Sequence, residues 1–161
     1  MANRFREAKT ELEIILGHNF VNEDILREAL WAAGPGSVGH RLFPEGNKRL
    51  ALVGDAALKI ALVHHSYTKG RSRGEADQTT QSALCNTKLN SVGRANDLGQ
   101  YIVLHNINST VTKNVMATTM EALFGAVFED SGLDLEAVRR GMVGFGLLEL
   151  WEPSSSVGDK W

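Results

Sequence analysis

The stretch that decides the fold is residues 46–65, which read GNKRLALVGDAALKIALVHH. Its apolar residues recur at helical spacing and predict one buried helix face: Leu50, Val53, Ala57, Leu58 and Ala61. Gly54 costs a helix interior about 1 kcal/mol relative to alanine, so we expect a bare backbone there for close packing. Asp55 is a carboxylate within an apolar turn. Because carboxylates are rarely buried alone, we expect a cation, a metal or a hydrogen-bond donor beside it.

A second stretch, residues 117–130, has the same design and reads ATTMEALFGAVFED. Its apolar face is predicted to consist of Ala117, Met120, Leu123, Phe124 and Val127. Glu121 sits among them as Asp55 does in the first stretch, and Gly125 repeats the bare backbone. The two stretches therefore predict a closely packed helix pair on which the two acids converge. The alternative is that each acid pairs with its own arginine or lysine.

Two motifs in these stretches resemble those of a known family. Residues 47–58, NKRLALVGDAAL, resemble the ribonuclease III signature NERLEFLGDAVL, and residues 116–132, MATTMEALFGAVFEDSG, resemble its second motif, ADxFEALIGAIYLDSG. Residues 86–102 resemble the region between them. The resemblance covers roughly residues 11–150 and implies an all-α, single-domain fold of the ribonuclease III endonuclease type. We therefore expect a domain over residues 1–150 and a flexible tail over residues 151–161.

The resemblance also implies a metal site. Four acids bind divalent metal in that family, and two of them carry over to Asp55 and Glu121 as catalytic and metal-binding residues. The other two positions are occupied by Ala51 and Thr118, so half of the acidic cluster is absent. A threonine hydroxyl can act only as a neutral ligand, and Glu45 is a possible replacement acid. We therefore expect weak binding of Mg²⁺ or Mn²⁺.

Three functions remain open from the sequence. The resemblance implies a double-stranded RNA endonuclease that acts in RNA processing as a homodimer, with reduced or altered activity. Leu52 and Leu62 are expected to bury the contact between the two copies. The second possibility is a catalytically inactive RNA-binding or scaffold protein, similar to the degenerate ribonuclease III domains of mitochondrial ribosomes. The third is an all-α dimer with no nucleic-acid role.

Composition limits the kind of partner. The chain has 161 residues, of which 43% are hydrophobic and 22% charged, and this predicts one globular domain. Its net charge of −2 excludes a global basic field, so any RNA surface must be a local patch. Candidate patches are a mobile loop with Lys69, Arg71 and Arg73, and the pair Arg139 and Arg140.

Cysteine content and hydropathy bound the surroundings of the protein. Cys85 is the single cysteine, which excludes a disulfide framework, and we expect it to be a small buried residue. No apolar run approaches the roughly 20 residues of a membrane span, and the first residues lack the apolar core of a secretory signal. We therefore expect no membrane partner and an intracellular protein, with cytoplasmic, nuclear and mitochondrial locations all open.

Overall fold

The computed structural model of the chain describes residues 2–34, 42–106 and 108–149, and it confirms the all-α fold class. The described residues contain no β-strand, only one isolated parallel bridge between Trp31 and Val103. The tail expected over residues 151–161 lies outside the described residues. The α-helices are α1 (Ala2–Leu16), α2 (Glu23–Leu30), α3 (Lys48–Thr68), α4 (Arg73–Leu84), α5 (Asn86–Ala95), α6 (Lys113–Asp130) and α7 (Leu135–Phe145), with a 3-10 helix (Leu98–Tyr101) after α5.

Helix α6 is the centre of the core. It packs against α2, α3, α5 and α7, with its largest contact on α3. Because α6 is surrounded by other helices, it is apolar on nearly every side rather than along a single stripe. All five residues of its predicted apolar face are buried, which confirms that prediction: Ala117, Met120, Leu123, Phe124 and Val127.

The contact between α3 and α6 depends on a reciprocal pair of glycines. A β-carbon on Gly54 would overlap the backbone carbonyl of Glu121, and one on Gly125 would overlap the backbone carbonyl of Leu50. Each helix therefore accepts the other's main chain at the point where it has no side chain. This confirms the prediction that a bare backbone serves close packing at both positions.

The outward face of α3 carries an exposed apolar stripe. Leu52 is 75% exposed, and Ile60, Val63 and Tyr67 lie exposed further along the same face. Leu62 was predicted to share this face, but it is only 2% exposed and belongs to the core, so that prediction is wrong. Leu62 lies one turn after the buried Leu58 and therefore points to the same side of the helix.

Asp130, the last residue of α6, ties the connection between α1 and α2 to the core. Its carboxylate accepts hydrogen bonds from the backbone N–H groups of Val21 (3.0 Å) and Asn22 (2.8 Å), and it contacts His18 Nε2 at 2.8 Å. Burial by itself would raise the pKa of Asp130, but these three interactions outweigh it and hold the pKa below its ordinary value. The ionised carboxylate therefore stabilises this corner of the fold.

Helix α4 covers little of the core. None of its residues is buried, and its surface is largely polar. Cys85, at the junction between α4 and α5, is exposed, so the expectation of a buried cysteine is wrong. The junction stays at the surface because α4 itself has no buried face.

Among the described residues, no helix has both the length and the apolar character needed to cross a membrane.

Candidate functional site

The two acids singled out by the sequence lie at the junction of α3 and α6. Gly54 packs on the backbone of Glu121. Asp55 directly follows Gly54 in α3, so the close contact of the two helices also brings the two acids near each other. The negative charge of Asp55 raises the pKa of Glu121. The two carboxyl groups therefore share one electrostatic environment.

Glu121 is the perturbed member of the pair. Burial is the largest cause and the Asp55 charge the second; together they raise the pKa of Glu121 to about 7, although the Lys59 charge acts in the opposite direction. No hydrogen bond or ion pair joins the Glu121 side chain to any other residue that the structure describes. Near neutral pH this carboxyl group is therefore partly protonated, because burial and the Asp55 charge outweigh the opposing charge of Lys59.

Asp55 has a partner that the sequence analysis missed. The Lys59 ammonium group donates a hydrogen bond of 2.7 Å to Asp55 Oδ2. The side chains of Asp55 and Lys59 are 34% and 56% exposed. The alternative of an ordinary ion pair is therefore correct for Asp55 and not for Glu121. The i,i+4 spacing of the two residues on one helix was the available sequence signal.

The positions that lack acids are occupied by residues of the packed interior. Ala51 is buried and Thr118 is half-buried. Beside them, the Asn47 side chain donates hydrogen bonds to the carbonyl of Ala29 (3.0 Å) and to Thr119 Oγ1 (3.1 Å). Asn47, the first residue of the signature, thus joins α2 and α6 at the start of α3. This structural role was also missed by sequence reasoning.

The donor set at this junction is small. Within residues 2–34, 42–106 and 108–149, no group of three His, Cys, Asp or Glu side chains is placed to hold a metal ion. Glu45 is exposed in the turn before α3, and the structure does not add it to such a group. Two carboxylates and the Thr118 hydroxyl are oxygen donors of the class that Mg²⁺ and Mn²⁺ prefer. Such a donor set would hold one ion only weakly, with water as its remaining ligands, and it is too small for two ions.

The three predicted RNA-binding cations are displayed together on the surface. Lys69 caps the end of α3, and Arg71 and Arg73 follow it at exposed positions. The connection is shorter than expected, because Arg73 already belongs to the first turn of α4. A capping box, in which the side chains of Ser72 and Glu75 each bond the other's backbone N–H, fixes that turn.

Arg71 also borders an open groove of about 700 Å³ along α4. Lys88 of α5 supplies a second cation to it. The rest of the lining comes from α4: Glu75, Gln78, Thr79, Ser82 and Ala83. Because the groove is open and most of the residues that line it are polar or charged, it suits an extended charged partner better than a small apolar ligand.

The second predicted basic patch does not exist as such. Arg139 is only 8% exposed, so it is not free to meet a phosphate group, and that prediction is wrong. Its guanidinium lies 3.0 Å from Glu136 Oε1 and 3.4 Å from His65 Nδ1, where α7 meets α3. Burial, followed by the positive charge of Arg139, lowers the pKa of His65. Arg140 alone remains at the surface.

Comparison with known proteins adds sequence and fold relatives. The model of the ribonuclease-III-like family matches residues 36–140. The chain is similar to Ribonuclease 3 of Borreliella afzelii, at 30% identity over 78% of this chain and 55% of that protein. It is also similar to Ribonuclease 3 of Idiomarina loihiensis, at 27% identity over 93% of this chain and 65% of that protein. The chain thus spans between half and two thirds of the length of these relatives.

A solved structure shows the same fold. The nuclease domain of ribonuclease III from Campylobacter jejuni aligns with a TM-score of 0.69 and 17% sequence identity. The alignment covers 84% of this chain and 94% of that domain, in which structural flexibility is found in a region involved in dimer formation. At this identity the likeness establishes the helical architecture alone.

Proposed function

This chain belongs to the ribonuclease-III-like family. From that premise we propose that it is an endonuclease domain that cleaves double-stranded RNA in RNA processing, with an acidic metal site that has lost two of its four acids. The observation that carries the proposal is the Asp55 and Glu121 pair. The two motifs place these acids on separate helices, and the mutual glycine contact brings them to one junction. One acid has a strongly raised pKa, a property that clusters at functional sites.

Asp55 and Glu121 are the residues that would hold one ion of Mg²⁺ or Mn²⁺, with the Thr118 hydroxyl three residues before Glu121 on α6. Such an ion, when bound, activates water and stabilises negative charge on the cleaved phosphodiester. In the metal-free protein the pKa of Glu121 is raised to about 7, so this carboxyl group would release its proton near neutral pH when an ion binds beside it. Since Ala51 offers no ligand, we expect low metal affinity, slow cleavage and a preference for Mn²⁺.

The surface that we propose binds RNA consists of Lys69, Arg71 and Arg73, beside the groove along α4. Their exposure leaves the cations accessible to phosphate groups. Because the net charge of the chain is −2, binding to duplex RNA depends on this patch and is weak and salt-sensitive.

We further propose a homodimer formed through α3. Leu52, Ile60, Val63 and Tyr67 are four large exposed apolar residues on one side of the same helix, whereas isolated apolar residues are ordinary on a surface. Asp55 lies on the same helix, so pairing of two copies along this face would set the two acidic sites on one shared surface.

The second candidate is a catalytically inactive RNA-binding or scaffold protein of the same fold. The ion pair between Lys59 and Asp55 favours it, because this lysine already neutralises the more exposed acid. The lack of a three-acid group in the described part of the chain favours it as well.

A cleavage assay distinguishes the two candidates. Purified protein is incubated with a labelled RNA duplex and Mn²⁺, Mg²⁺ or EDTA. We expect slow cleavage with Mn²⁺, less with Mg²⁺, and none from the Asp55→Asn variant. Restoring the missing acids with Ala51→Glu and Thr118→Asp raises metal affinity and cleavage together.

The control for that gain adds the same two acids at exposed positions of α5, with Ala95→Glu and Thr87→Asp, and leaves cleavage unchanged. Melting curves confirm that each variant folds. Cleavage that persists in Asp55→Asn contradicts the proposed site. No cleavage by the unmodified protein with either metal, together with intact RNA binding, favours the scaffold.

A further inference from the structure

The lysine beside the acidic pair is the feature of this site that the motifs do not account for. Lys59 Nζ lies 2.7 Å from Asp55 Oδ2, and the ammonium charge also acts on Glu121, whose pKa it lowers. One ammonium group therefore interacts with both acids at the junction of α3 and α6. Its own side chain is half exposed and anchored through the helix backbone four residues after Asp55.

We propose that Lys59 is the resident cation of this site and that a divalent ion must displace its ammonium group from Asp55 in order to bind. This inference deepens the proposed function, because it concerns the same two acids. It assigns Lys59 a regulatory role: the lysine sets the metal affinity of the site without being a ligand itself.

The oxygen atoms of Asp55 and Glu121 are donors for which a metal ion and the Lys59 ammonium group would compete. A divalent ion and an ammonium group need the same carboxylate oxygens, and they repel each other at short range. Asp55 Oδ2 is already engaged, and with Ala51 in place of an acid no further carboxylate is available from the preceding turn of α3. While Lys59 holds Asp55, an incoming metal ion would lack this oxygen and meet a positive charge, so the ammonium group has to leave Asp55 first.

The flexibility of lysine makes the displacement feasible. Lys59 is 56% exposed, so its ammonium group can turn into solvent and recover its hydration when the ion arrives. The penalty on metal binding is that of a partly exposed charge. We expect it to reduce metal affinity on the order of tenfold.

The test measures metal binding and not cleavage. Mn²⁺ is titrated into metal-free protein, and binding is followed by calorimetry and by the electron paramagnetic resonance signal of free Mn²⁺. Lys59→Gln, which removes the charge and keeps a side chain of similar reach, is expected to bind Mn²⁺ about tenfold more tightly than the unmodified protein. Lys59→Arg keeps the charge and is expected to show no such gain.

Lys9→Gln is the matched control, because Lys9 forms an i,i+4 ion pair with Glu13 on α1 (2.9 Å), away from the acidic junction. It is expected to leave Mn²⁺ affinity unchanged. The gain from Lys59→Gln must also disappear when Asp55→Asn is added. Melting curves without metal establish that the variants fold.

Equal Mn²⁺ affinity of Lys59→Gln and the unmodified protein overturns the inference, and so does a gain that survives Asp55→Asn. Absence of measurable binding in every variant overturns it too. Failure of the endonuclease proposal is distinguishable: Lys59→Gln then binds Mn²⁺ more tightly, yet neither it nor the unmodified protein cleaves duplex RNA.

Discussion

The substitution Gly54→Ala tests the contact on which both the fold and the site depend. A methyl group at this position would overlap the backbone carbonyl of Glu121. A backbone atom cannot rotate away as a side chain can, so α3 and α6 must move apart. Overpacking of a core costs typically 1–3 kcal/mol, and we expect the upper end of that range here.

The helix propensity of alanine works in the other direction. Replacing a glycine inside a helix stabilises the helix by about 1 kcal/mol. An overpacking cost of about 3 kcal/mol therefore leaves a net loss of about 2 kcal/mol in the free energy of unfolding. For a chain of this size that loss lowers the melting temperature by about 4–8 °C.

Gly74→Ala is the matched control, because Gly74 also lies in a helix and nothing lies within 4 Å of the β-carbon it would gain. It is expected to leave the melting temperature unchanged or to raise it by up to about 4 °C. Melting followed by circular dichroism and urea unfolding give both values. A Gly54→Ala variant as stable as Gly74→Ala would refute the close contact of α3 and α6.

Three further predictions concern other parts of the molecule. Asp130→Asn is expected to lower the free energy of unfolding at pH 7 by about 1.5–3 kcal/mol, as measured by urea unfolding. Because the pKa of Asp130 is lower in the folded protein than its ordinary value, the ionised carboxylate stabilises the fold fully above that ordinary value. The stability difference between the two proteins should therefore vanish as the pH falls through the folded pKa. Leu52→Glu is expected to give monomers in light scattering at tens of micromolar, whereas Ile14→Glu, at an equally exposed helical position on α1, leaves the dimer intact; a monomeric unmodified protein would contradict the dimer. Arg71→Ala with Arg73→Ala is expected to weaken duplex RNA binding in filter assays and to reduce the salt dependence by about 0.9 per lost phosphate contact, the value for duplex DNA; unchanged binding would exclude this patch.

The part of the fold that could be predicted is the part with local signals. Helical spacing predicted the buried face of α6 and that of α3, except for Val53, which is only half-buried. The cost of glycine inside a helix indicated close packing at Gly54 and Gly125. Both signals are properties of a single segment. They hold whatever else the chain does, provided that the segment is helical and buried.

Two of the errors, at Leu62 and Arg139, concern contacts with a third helix. Leu62 was assigned to the surface because one apolar stripe seemed sufficient, but α3 contacts α4 and α7 as well as α6, and its buried face is correspondingly wide. Arg139 was assigned to the surface because of its charge. Its partners, Glu136 and His65, become visible only when α7 is placed against α3. Periodicity shows that a face is buried but not how many neighbours bury it.

At the candidate site, the sequence identified the acids and missed the cation, and this changes the charge that RNA would meet. When ionised, Asp55 and Glu121 contribute one negative charge each, and Lys59 contributes one positive charge, so the net charge of the site is −1. The four-acid pattern of the family would give a net charge of −4. A site of charge −4 repels a phosphate backbone until metal ions neutralise it, whereas a site of charge −1 repels it far less. We therefore expect duplex RNA to bind this chain without metal, so that a salt titration in EDTA measures RNA binding alone and metal enters only at cleavage.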